Sequence, residues 1–238
     1  MYLWIVAAFI AYLIKGLCGF ANTLVFTSVL SFGESNANIS PVDLLLGYPM
    51  NLILVWKNRK NLNLKIYGPL AALVLLGSIP GALLLKTMDV KAIKLVFGLI
   101  VIILGTEMFL QEYRGKDVHS SKTALAFVGL IAGVACGLFG VGALLAVYIS
   151  RVTENSNSFK ANISAVFIVE NSFRIIFYYV IGLLTSNTLK SALLLTPIAL
   201  LGLLTGMKFS NYLDEKLVRK FTSVMLVLSG VALILKNL

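Results

Sequence analysis

Gly16-Leu17-Cys18-Gly19-Phe20-Ala21-Asn22-Thr23 interrupts an apolar segment that otherwise has the texture of a membrane helix. Just past the middle of the chain, Gly137-Leu138-Phe139-Gly140-Val141-Gly142-Ala143-Leu144 interrupts a second segment in the same way. A lipid-facing helix gains nothing from such a break, because every backbone group it exposes must find a partner without water. Interrupted helices at matching places in two halves of a membrane chain point to a transporter's substrate site.

The surrounding composition agrees. Apolar residues make up 59% of the 238 and charged ones 13%, where a soluble domain carries roughly 25% charge. Mean hydropathy is +0.94. Uncharged runs such as 66–85 and 95–106 are the dominant texture, and such runs read as membrane spans. The net charge of +10 sits in loops between apolar blocks, with Lys57, Arg59, Lys60 and Lys65 in one and Lys216, Arg219 and Lys220 in another. No basic stripe with interleaved aromatics occurs, so the bases read as cytoplasmic loops obeying the positive-inside rule, and no nucleic-acid partner is expected. Cys18 and Cys136 make neither a disulfide framework nor a metal motif. The N-terminus is apolar from Tyr2 without a basic leader, which predicts a first membrane segment and not a cleaved signal.

Eight apolar blocks emerge: 2–32, 40–56, 66–86, 91–110, 123–149, 161–181, 188–209 and 217–235. Six have the length of one crossing, roughly 20 residues. The first and fifth are too long for one crossing and too short for two, and these carry the glycine breaks. If every block crossed once, the loop bases would divide nine against nine. With the first and fifth blocks as hairpins returning to the side they entered, the division is thirteen against five, which the positive-inside rule prefers. The count fixes only the fifth block, because the first loop, 33–39, holds no base. The expectation is an all-α, multi-pass protein of the cell membrane with both termini external. Residues 1–238 form one membrane domain, made of a first repeat (1–110), a polar linker (111–122) and a second repeat (123–238). Each repeat is a broken re-entrant hairpin plus three crossings, an odd number, so the two are inverted.

Internal similarity supports the repeat. A shift of 125 residues superposes Leu75, Leu76, Gly77, Gly81, Asp89, Lys91 and Gly105 on Leu200, Leu201, Gly202, Gly206, Asp214, Lys216 and Gly230. A shift of 121 places Gly16, Leu17 and Gly19 on Gly137, Leu138 and Gly140, and a shift of 120 places Asn51 on Asn171. The four-residue spacings Gly77/Gly81, Gly202/Gly206 and Gly129/Gly133/Gly137 line small residues along one helix face, for close packing within the chain or in a homodimer.

The break leaves backbone N–H groups unpaired at the start of its second half, an anion-attracting end. Gly19, Phe20, Ala21, Asn22 and Thr23 would supply one such end, and Gly140, Val141, Gly142 and Ala143 the other; tight helix packing alone would also use these glycines. Ionisable groups at membrane depth are few. Lys15 abuts the first break, while Glu170, Asn171 and Arg174 lie within the sixth block. Glu170 and Arg174 share a helix face, either as a neutralising pair or with Arg174 offering its fork to an oxyanion while Glu170 competes for it or carries a proton. Asn51 and Asn171 either line the site from both halves or join neighbouring helices. Asp43 and Glu107 lie near block ends and are expected in water. The one histidine, His119, is in the polar linker, and no HExxH, GxSxG or Walker motif occurs, so no enzyme, metal or cofactor is expected.

On the two breaks (GLCGFANT and GLFGVGAL), the asparagine in each following helix, the Pro80-Gly81 step, and Asp89 or Asp214 ahead of a Gly-containing span, the chain resembles the sulfite exporter TauE/SafE family over nearly its whole length. That resemblance implies export or import of a small sulfur-containing anion such as sulfite, a sulfonate or sulfoacetate. It carries over Gly19, Gly140, Gly142, Asn51 and Asn171 as site-forming positions. The family's run of three glycines with a later proline is absent from both breaks. The expected partners are a small anionic substrate and the bilayer. The expected site comprises Gly19, Asn22, Thr23, Asn51, Gly140, Gly142, Asn171 and Arg174, with Lys15 and Glu170 in coupling or pairing. The alternatives are a non-transporting membrane scaffold or assembly factor, which has no need of broken helices, and a carrier for a cation or neutral solute. A membrane enzyme would need a base or metal ligand at depth, and Glu170 alone offers one.

Overall fold

The computed structural model describes residues 2–30, 34, 36–84, 129–134 and 143–235, together with 95, 98, 99, 102, 103, 105, 106, 109 and 110. Among the described residues all regular structure is helical. The elements are α1 (Tyr2–Cys18), α2 (Asn22–Leu30), α3 (Asn36–Lys57), α4 (Leu64–Leu84), α5 (Ala143–Val152), α6 (Ser156–Val180), α7 (Ser186–Tyr212) and α8 (Glu215–Leu235). A 3-10 turn at Arg59–Asn61 joins α3 to α4, and residues 129–134 are helical. Among the described residues three helices are long and apolar enough to cross a bilayer: Asn38–Lys57, Ser156–Val180 and Ser186–Tyr212. Large side chains such as Trp56, Ile176, Leu193 and Leu201 stand exposed on their outer faces, where a soluble fold would bury them and lipid solvates them.

The first apolar block is two helices. Between them Gly19 has φ +89° and Ala21 φ +72°, left-handed values that stop α1 and turn the chain into α2. With nine residues, α2 is only about 14 Å long, too short to span a hydrocarbon core of about 30 Å. The ten-residue α5 is equally short. The counterpart break at 137–142 lies outside the described residues, as do Glu107, His119 and the linker.

Helices reach beyond the apolar blocks. α3 begins at Asn36 and not 40, and α6 begins at Ser156, where the Asn155 side chain accepts from the Ser158 amide at 2.8 Å. Two expectations fail for this reason. Asp43 is not in water but 4% exposed, two turns inside α3. Lys160 is not a loop base but a buried residue of α6. Its ammonium donates to the Gly16 carbonyl at 3.1 Å and to the Ser210 hydroxyl, tying α6 to the C-terminal end of α1 and to α7. Cationic groups suit that end of a helix, whose last carbonyls lack intrahelical donors.

α1 packs along α7, and at two glycines of α7 backbone meets backbone. A Cβ at Gly202 would lie 2.5 Å from the Phe9 carbonyl oxygen and 3.1 Å from the Leu13 nitrogen, and one at Gly206 would strike the Leu13 carbonyl. A second seam joins α4 to residues 129–134. There a Cβ at Gly77 would strike the Leu130 carbonyl and lie 2.9 Å from the Val134 nitrogen. The small-residue faces at Gly77, Gly133, Gly202 and Gly206 are thus occupied within one chain. α2, α3 and α6 complete the walls of a cavity beside the break.

Candidate functional site

The cavity is small and partly open, with a volume of about 30 Å³. α1 contributes Lys15, the break contributes Phe20 and Ala21, and α2 contributes Asn22, Thr23 and Leu24. Asp43, Leu44, Gly47 and Asn51 come from α3, and Phe167, Asn171 and Arg174 from α6. The chain therefore brings Lys15, Asn22, Thr23, Asn51, Asn171 and Arg174 to one place. Glu170 stands behind them, Gly19 lies at the break outside the lining, and Gly140 and Gly142 lie outside the described residues. Among the described residues no three His, Cys, Asp or Glu side chains gather in a way that could hold a metal.

One wall is fully bonded. Asp43 Oδ1 accepts from the Tyr12 hydroxyl and from Asn22 Nδ2, both at 3.1 Å, and Oδ2 accepts from the Thr23 hydroxyl at 2.6 Å. Three donors thus hold one carboxylate in place. Asn22 Oδ1 in turn accepts from Lys15 Nζ at 2.8 Å. Sequence reasoning missed Tyr12 and Asp43. Their signal is polarity inside apolar helices, masked for Asp43 by its closeness to the block end.

Lys15 is 1% exposed. Its ammonium has three donors, and its described partners are Asn22 and the Phe167 ring, 5.5 Å away. No carboxylate pairs with it among the described residues. Lys15 reaches Asp43 only through Asn22, so its ammonium keeps donors that a ligand oxygen can accept. The amides of Asn22, Thr23 and Leu24 open α2 and have no intrahelical acceptor, since the first backbone bond runs from Val25 N to the Ala21 carbonyl. They present the positive end of the helix dipole to the cavity.

The α6 wall has open valences. Arg174 Nη2 donates to the Tyr178 hydroxyl at 2.8 Å and to Ser40 Oγ at 3.0 Å, with its guanidinium over the Tyr178 ring. Its Nε stands 3.6 Å from Glu170 Oε1, too far for a hydrogen bond. Asn51 Oδ1 is buried without a partner, and no described group bonds the Asn171 amide. Oxygen and nitrogen of an amide exchange by rotation, so both asparagines offer a donor to an oxyanion. Gly47 faces Tyr12, Asn22 and Asn171, leaving the cavity its width.

A protein-family model, Sulfite exporter TauE/SafE, matches residues 4–233. No curated protein and no solved structure matches the chain. The match runs through every described helix, and the fold it covers is apolar, helical and long enough to cross a bilayer. The chain belongs to the sulfite exporter TauE/SafE family of membrane transporters.

Proposed function

We propose that the chain is a secondary transporter of a small anion of the sulfite, sulfonate or sulfoacetate type, held in the cavity between α1, α2, α3 and α6 and moved by alternating access. The observation that carries this reading is Lys15, a buried ammonium without a carboxylate partner, facing a cavity shared with Arg174 and the N-terminus of α2. The planar guanidinium suits a trigonal or tetrahedral oxyanion. A cation carrier would need an uncommitted carboxylate in the lining, and Asp43, the carboxylate there, is committed to three donors. In this reading Asn22, Thr23, Asn51, Asn171 and Arg174 contact the anion, Gly19 permits the break, and Gly140 and Gly142 form the matching break of the second half.

The same reading takes the two halves, 1–110 and 123–238, as inverted repeats. Gly202 meets the Phe9 carbonyl and the Leu13 nitrogen; Gly77 meets the Leu130 carbonyl and the Val134 nitrogen. These are the same contacts under the shifts of 125 and 121 found in the sequence, as a pseudo-two-fold relation requires. The half-length α2 and α5 suit re-entrant segments, and the charge division supports external termini; a reporter fused after Leu238 then reads outside.

The test is flux in proteoliposomes together with thermal stability against sulfite, methanesulfonate, sulfate, carboxylates and cations. A bound anion at 100 times its dissociation constant stabilises by about 2.7 kcal/mol. Stabilisation and flux with sulfite or methanesulfonate, both lost in Lys15→Met, are expected. A panel that stabilises only with cations overturns the reading.

A further inference from the structure

We propose that Glu170 is a proton-binding site and that the chain takes up one proton with each monoanion it binds. The inference rests on the anion reading above. Among the described residues, the charges around the cavity are Lys15 and Arg174 against Asp43 and Glu170, which balance. A monoanion entering that site leaves one uncompensated negative charge in a medium that screens it poorly. Protonating one carboxylate restores neutrality, and the two carboxylates differ in readiness.

Both Asp43 oxygens are already occupied by hydrogen bonds from Tyr12, Asn22 and Thr23. Glu170 is 2% exposed and accepts no hydrogen bond among the described residues. Its one described electrostatic partner is Arg174, at 3.6 Å. An anion that engages the guanidinium weakens that contact and adds a like charge beside Glu170. Both effects favour the carboxylic acid. The step is a simple protonation: a proton joins one carboxylate oxygen of Glu170 as the anion binds, and both leave together on the other face, so a monoanion crosses without net charge.

The other titratable and charged groups around α6 are accounted for. α3 presents Asp43, Tyr48 and Lys57, the 3-10 turn presents Arg59 and Lys60, both exposed, and α4 presents Lys65 and Tyr67. α5 carries Tyr148 and Arg151, and α8 carries Glu215, Lys216, Arg219 and Lys220. α1 presents Tyr12 and Lys15, and α6 itself carries Lys160, Arg174, Tyr178 and Tyr179. Lys57 and Lys65 are exposed at helix ends. Lys160 is engaged by Gly16 and Ser210. Of the carboxylates with described side chains in these helices, Asp43 and Glu170 are the buried ones.

The test uses the purified full chain in weakly buffered detergent with methanesulfonate, an anion whose own charge does not change over the working pH range. A pH indicator should record one proton taken up per anion bound, and the wild-type dissociation constant should weaken by up to about tenfold per pH unit toward alkaline pH. Glu170→Gln should bind methanesulfonate without proton uptake and with an affinity that no longer varies with pH. Wild-type binding with neither uptake nor pH dependence overturns the proposal, a readout that stands even if Glu170→Gln fails to fold. Uptake that survives in Glu170→Gln and disappears in Asp43→Asn overturns it in favour of Asp43. If neither sulfite nor methanesulfonate shifts the thermal midpoint, the anion reading fails first and the proton proposal falls with it.

Discussion

The two glycine seams are alike where backbones touch, and the two breaks in the sequence are unlike in their chemistry. The α1–α7 seam at Gly202 and the seam at Gly77 place equivalent glycines against equivalent carbonyl and amide groups. The breaks differ. Under the shifts of 121 and 120, Lys15, Asn22 and Thr23 correspond to Cys136, Ala143 and Leu144, and Asp43 corresponds to Ile163. Packing has little tolerance, because a Cβ in either seam meets backbone that cannot rotate away. Polar groups at membrane depth are costly wherever they are not used. A charged site therefore stands at the first break, while the glycine contacts stand in both halves.

The comparison breaks most visibly in the seams. Gly202→Leu and Gly77→Leu should each remove most folded protein from the membrane, at the upper end of the roughly 1–3 kcal/mol that overpacking costs. Yield after detergent extraction and size-exclusion chromatography measures this. One variant tolerated and the other not would mean that the seams are not equivalent.

Lys15→Met sharpens the chemical side. Anion flux should fall by about 10- to 100-fold, the equivalent of a charge-assisted contact of roughly 1.5–3 kcal/mol. The thermal midpoint without ligand should hold, because among the described residues no carboxylate touches this ammonium. A marked fall in the midpoint would make Lys15 a structural tie.

Asp43→Asn keeps the shape of its side chain and removes the charge that Tyr12, Asn22 and Thr23 address. The expected loss is about 1–3 kcal/mol of stability, read as a lower thermal midpoint; an unchanged midpoint would show that the network contributes nothing.

The smallest effects belong to the paired asparagines. Asn51→Ala and Asn171→Ala should each weaken methanesulfonate binding by about 2- to 10-fold, the range of one neutral hydrogen bond. An effect confined to one of them would make the site one-sided.

Much of this was legible in the sequence, for identifiable reasons. The first break follows from local backbone preference at Gly19, and the spans follow from summed hydropathy, so neither needed tertiary information. Glu170 and Arg174 were placed on one face by helix periodicity alone. What escaped was the depth of Asp43 and Lys160. Hydropathy marks the apolar stretch of a helix, not its ends, and both helices begin with polar turns that count as loop by that measure. Ser40 escaped for a different reason. Its bond to Arg174 joins residues 134 positions apart, and no local pattern encodes such a meeting, whereas Tyr178, one turn from Arg174, lay within reach of the same periodicity.

The glycine seam also limits how the protein can move. Side chains let packed helices slide, because rotamers can change while contacts are kept. At Gly16, Gly202 and Gly206 the backbones of α1 and α7 touch directly, which resists sliding of one helix past the other. The polar contacts of α6, from Lys160 to Gly16 and Ser210 and from Arg174 to Ser40, are bonds that can be exchanged for others. Under the alternating access proposed above, opening falls to the joint between this pair and α6, which the Lys160 ammonium bridges.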